Sequence, residues 1–332
     1  MDIRKPASLK ATAAQRLEAA PQHRQISLIY AGMTVACAAL ITIVNYILDL
    51  RIDQTGGLSN MSTRTLLTTL RTMLPLALSM FLLCLDVGYF SAMLRISREQ
   101  YASPHSLRAG FERFWPLLRY TVFQGLIFFG LMFAAAYFSV QIFLLTPLSR
   151  GTMEILMPLT QETGTVDPNA IADMPIYAEL MESMVPVLIM TAVLYAALCI
   201  PVVYQYRMTH YVILDKPGLG ALNAMRESRK MMRRNRFKLF RVDVSLWLYH
   251  GLCFLASLLC YGEELLPMIG ISLPFPEAVS YFLFYALFLA AEFGIYYFLR
   301  SRAEVTYALF YEAIKPQPPK SEGIVLGNIF QM

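Results

Sequence analysis

Apolar residues run through this chain in long unbroken stretches, without the alternation of barrel strands or the single stripe of a soluble surface helix. Six stretches stand out, at residues 26–50, 72–94, 117–147, 184–206, 240–262 and 278–299. Crossing about 30 Å of hydrocarbon takes about 20 apolar residues in helical form. A helix also pairs its own backbone groups, as a bilayer requires. The pattern therefore predicts an all-α integral membrane protein with six transmembrane helices. The third stretch is long enough to tilt. Composition agrees, with 57% hydrophobic and only 15% charged residues, where a soluble domain has about a quarter charged. The first 25 residues are polar and the apolar run behind them is too long for a signal-peptide core, so it is expected to be an uncleaved span.

Charge distribution orients the spans. The arm 1–25, the second and fourth connections and the end beyond residue 299 hold 24 of the 28 Lys and Arg residues. The opposite side holds Arg51, Arg64, Arg71 and Arg150. The positive-inside rule then puts both termini in the cytoplasm. The expected organisation is a cytoplasmic arm (1–25), a membrane domain (26–314) with a basic cytoplasmic loop at 207–239, and a flexible tail (315–332). The acidic outer connection 148–183 contains Asp167-Pro168, a helix-start pattern.

Within the fourth connection, Asp215 and Pro217 suit the start of a helix. Arg226, Arg229, Lys230, Arg233 and Arg234 then fall on one helical face, with Leu222, Met225 and Met232 on another. This predicts a basic amphipathic helix lying along the inner leaflet. Its cations are candidates for contact with lipid phosphate, worth roughly 1 kcal/mol each near anionic lipid. Membrane lipids, anionic ones above all, are the expected partners, together with membrane proteins. Nucleic acid is not expected.

The second and sixth stretches end alike, with Asp86 nine residues before Arg95 and Glu292 eight before Arg300. A repeat of helix pairs and chance similarity both fit. Asp86, His250 and Glu292 are ionisable groups inside spans, which are costly there and default to functional candidates. Each lies roughly 12–14 Å from an arginine at the cytoplasmic end. Equal depth permits a polar cluster in which His250 pairs with one or both acids. Asp243 reads as interfacial. Gly125 and Gly130 permit close packing without a strict small-residue motif. Cys37, Cys84, Cys199, Cys253 and Cys260 sit in apolar sequence with neither metal-ligand spacing nor a disulfide framework. His105 and His210 are isolated. Phosphate-loop, zinc-protease and serine-elbow motifs are missing, and no cofactor is expected.

Asp215-Lys216-Pro217, Ala221, Ser228-Arg229, Met231-Met232, Asn235, Lys238-Leu239-Phe240, Ser245 and Trp247 resemble the bacterial family catalogued as domain of unknown function 975. Tyr307-Ala308-Leu309-Phe310-Tyr311 resembles that family's terminal aromatic motif. The resemblance is best over residues 207–312. It implies a polytopic protein of the bacterial plasma membrane and carries no catalytic residue with it. Three functions fit the sequence: a non-enzymatic scaffold or regulator with a basic inner-leaflet surface, a small-solute transporter using the Asp/His/Glu cluster, and an intramembrane lipid-acting enzyme.

Overall fold

The computed structural model describes residues 5–54, 61–146, 175–268, 270 and 274–316. Among these residues all regular structure is helical. Helix α1 (Pro6–Glu18) begins on a proline, whose missing N–H costs nothing in a first turn. It buries Leu9, Ala13 and Leu17, four residues apart and so on one face. Then come α2 (His23–Gln54), α3 (Met61–Ser97), a 3₁₀ turn (Pro104–Arg108), α4 (Ala109–Glu112), α5 (Phe114–Leu144) and α6 (Pro175–Tyr206). The second half holds α7 (Thr209–Asp215), α8 (Ala221–Met232), α9 (Arg236–Ser245), α10 (Trp247–Cys260), α11 (Gly262–Met268) and α12 (Glu277–Ile295). A π-helical turn (Tyr296–Arg300) joins α12 to α13 (Ser301–Ile314).

Among the described residues five stretches are long and apolar enough to cross a membrane: His23–Ile52, Ser62–Ser97, Phe114–Leu144, Met184–Asp215 and Val279–Ile314. The expected fifth span, 240–262, departs from this pattern. It is two helices, α9 and α10, bent by 70°. The break falls at Leu246, whose φ of −98° and ψ of 21° leave the helical region. Ser245 Oγ folds back onto the Val242 carbonyl at 2.7 Å, a bond that bends helices. Lys10 Nζ donates to the Ser245 carbonyl at 2.9 Å and so satisfies a helix-end acceptor. The fourth connection is likewise helical for most of its length. Asp215 and Pro217 close α7 and lead into a turn, and α8 starts only at Ala221 after Gly220. The Asp167-Pro168 pattern and most of the expected tail lie outside the described residues.

The chain divides into two units, Met1–Leu118 with Met208–Met332, and Arg119–Arg207. The described helices of the second unit are α5 from Arg119 onward and α6. Val122, Phe129, Phe133, Leu188, Ile189 and Val193 are exposed there, as expected of helices whose solvent is lipid. In the first unit α2 packs along α3, and α12 packs on α2 and α10. The same unit has a dense core at one end of these helices, built around α13. Ser301 and every residue from Ala303 to Tyr311 are buried, and α13 packs against α1 and α3. A helix buried on all sides carries small and apolar residues all round. Two glycines let α3 meet the segment after it. A Cβ on Gly88 would strike the Leu107 carbonyl, and one on Gly110 would strike that of Cys84.

Candidate functional site

Asp86 on α3 binds one arginine, Arg300, and Glu292 on α12 is linked to it through Tyr296. The Asp86 carboxylate accepts hydrogen bonds from the Tyr30 hydroxyl and from Arg300 Nη2, the latter at 3.1 Å. Arg300 is only 8% exposed. Its guanidinium carbon lies 4.5 Å from the Tyr30 ring centre, 4.7 Å from that of Tyr296 and 5.6 Å from that of Tyr89. Such placement over ring faces attracts a cation to the aromatic quadrupole. Tyr296 also donates its hydroxyl proton to Glu292 at 2.6 Å. Glu292 and Arg300 are thus joined through one tyrosine, at the π turn. A π turn is rare and frequently marks a functional or strained position. Arg300 Nε has no hydrogen-bond partner among the described residues. The sequence counts Arg300 among the arginines at the cytoplasmic end, with nothing to mark it as buried. It is an interior residue paired with an acid 214 positions away. The alike endings of the second and sixth stretches meet across the two helices, Asp86 with Arg300, and Arg95 remains exposed.

His250 on α10 sits in a different group. Tyr307 gives its proton to Asp243 Oδ1 at 2.7 Å, so its oxygen is the acceptor for His250 Nε2 at 3.0 Å. Nε2 therefore carries a hydrogen. Asp243 Oδ1 and His250 Nε2 are 4.0 Å apart. Asp243, expected at an interface, is engaged with a tyrosine that is 1% exposed. The sequence offered no signal for Tyr307 beyond its place in an aromatic run.

A second charged group ties three helix ends together. Arg98 after α3 binds Asp215 at 2.7 Å through Nη2 and Glu312 at 2.9 Å through Nε. Lys315 pairs with Asp215, and the Tyr311 hydroxyl donates to the same carboxylate at 3.2 Å. Burial disfavours the charge on Arg98, but hydrogen bonds to Glu312 and Asp215 outweigh it and lift the pKa above the ordinary arginine value.

Arg226, Arg229 and Lys230 on α8, and Arg233 and Arg234 just past its end, are all exposed. Ala221, Ala224, Met225, Ser228, Met231 and Met232 are buried. Of the apolar face read from sequence, Met225 and Met232 are covered by protein, with α7 among the neighbours of this helix, while Leu222 is 49% exposed. All five cysteines are free. Among the described residues no group of three or more His, Cys, Asp or Glu could hold a metal ion.

Several helices long and apolar enough to cross a membrane, in an otherwise all-helical described chain, are consistent with a multi-pass membrane protein. Residues 8–317 match the family described as "Protein of unknown function (DUF975)", and the chain belongs to that family. No curated protein and no solved structure matches the chain.

Proposed function

We propose that this chain is a non-enzymatic membrane scaffold or regulatory protein, with six crossings, both termini in the cytoplasm and a basic surface facing the inner leaflet. One contrast supports the reading. Asp86, Glu292 and Asp215 each bind a cation or a tyrosine of the same unit, while the five cations on α8 and just past its end stand exposed. Charges matched in the interior fix helix packing, as buried ion pairs do when they specify one arrangement. Charges left on the surface are available to another surface of opposite sign. The groove between α10, α11 and α12, about 780 Å³, is lined by leucine, alanine, phenylalanine and other apolar residues. It offers lipid tails a seat.

The test is lipid retention by native mass spectrometry after reconstitution in mixed phosphatidylcholine and phosphatidylglycerol. Wild type is expected to keep phosphatidylglycerol in preference. The variant with Arg226, Arg229, Lys230, Arg233 and Arg234 all changed to Gln is expected to lose that preference. Five cations at roughly 1 kcal/mol each make the effect large enough to read. Equal retention by both proteins contradicts the reading.

A further inference from the structure

The basic helix read from the sequence buries Met225 and Met232 against protein, and the next helix presents an exposed apolar face. On α9 the exposed residues are Phe237, Phe240, Arg241 and Val244, a stripe spaced by three and four positions. Leu239, Val242 and Leu246 on the opposite side are buried. Phe237 is 66% exposed, and Trp247 just past the bend is 70% exposed. Two phenylalanines, a valine and a tryptophan in a row are a poor surface for water. They are a good surface for the headgroup region, where aromatic rings concentrate. Arg241 lies within the stripe with its guanidinium 5.1 Å from the Phe237 ring centre. That position lets its charged end reach lipid phosphate while its stem stays against the ring.

We propose that α9 is an in-plane helix seated in the membrane interface, its Phe237–Phe240–Val244 face in the acyl boundary and Arg241 on phospholipid phosphate. The 70° bend supports this orientation. If α10 runs into the bilayer near its normal, a helix bent 70° from it runs close to the membrane plane. The stripe is continuous with Trp247 and hence with α10, whose Phe254, Leu255 and Leu258 are exposed apolar residues. The crossing that sequence assigns to 240–262 then shifts to α10 and α11, Trp247–Met268. The occupant is a bilayer surface. The inner side of α9 is held by Lys10 at Ser245 and by Tyr307 at Asp243, so the outer face is the one left for lipid.

The inference rests on the proposed membrane placement, and its test needs no anionic lipid. The chain has two tryptophans, Trp115 and Trp247. Changing Trp115→Phe leaves Trp247 as the reporter. On a Trp115→Phe, Trp247→Phe background, Phe237→Trp, Phe240→Trp, Val244→Trp and Leu255→Trp each supply one reporter. The full chain is reconstituted in phosphatidylcholine carrying bromine at graded acyl positions, and quenching gives each depth. Positions 237 to 247 span about 15 Å of helix axis. In an in-plane helix all four reporters from 237 to 247 are quenched at shallow depth within about 8 Å of one another, and Leu255→Trp lies deeper. A larger spread, absence of quenching at 237 and 240, or a Leu255→Trp reporter no deeper than Trp247 overturns the proposal. Anionic lipid preference can be lost while this depth pattern holds, so the two readings fail separately.

Discussion

Removing Asp86 strands Arg300. The guanidinium is buried among Tyr30, Tyr89 and Tyr296, and Asp86 is the acid to which it donates. Taking one partner from a buried ion pair costs about 3–5 kcal/mol, because the other charge stays desolvated. Cation–π contacts of about 0.5–2 kcal/mol remain and soften the loss. Asp86 is 35% exposed, which also argues for the lower end. Asp86→Leu is therefore expected to lose about 3 kcal/mol. Arg300→Met is expected to lose a similar amount, leaving Asp86 with only the Tyr30 hydroxyl. Apolar replacement of a whole pair is often neutral, so the double variant is expected to regain at least about 2 kcal/mol of the summed loss. Thermal unfolding in detergent, followed by thiol exposure, is a suitable assay. At roughly 2–4 °C per kcal/mol, each single change is expected to lower Tm by about 6–12 °C. Single losses under about 0.5 kcal/mol, or strict additivity in the double variant, refute the coupling.

Gly110→Ala and Gly88→Ala are each expected to lose about 1–3 kcal/mol or more by driving a methyl into a carbonyl, whereas Gly125→Ala, with open space around it, is expected to gain up to about 1 kcal/mol; Tm comparison separates them. Tyr307→Phe leaves Asp243 and His250 without their shared hydroxyl and is expected to cost about 1–3 kcal/mol by the same measurement. Phe310→Ala empties a fully buried site on α13 and is expected to cost about 3–5 kcal/mol, with faster hydrogen exchange along α1 and α13.

The helices α2, α3, α5, α6 and α12 were legible because span length is a property of a single segment. What the sequence hid depends on partners. Arg300 follows an apolar run as an exit cation would, and Tyr30, Asp86 and Tyr89, distant in the chain, surround it. Met225 and Met232 give the same periodic pattern whether lipid or protein covers them, and here protein does. The break at Leu246 needs Ser245 and Lys10 together, and nothing at residue 246 announces it. Equal depth permitted one cluster of Asp86, Glu292 and His250, and the structure puts Asp86 on Arg300, Glu292 on Tyr296 and His250 elsewhere. Depth could not choose which side of α10 presents His250, and that side faces Tyr307 and Asp243.

The central claim is that apolar helices cross a bilayer and leave the α13 core on its cytoplasmic side. Fusing a reporter pair after Pro316 tests this most directly: a fluorescent protein that matures only in the cytoplasm, and a phosphatase active only outside it. The account predicts a fluorescent, phosphatase-silent fusion. A dark fusion with active phosphatase would place the core on the outer side and contradict it.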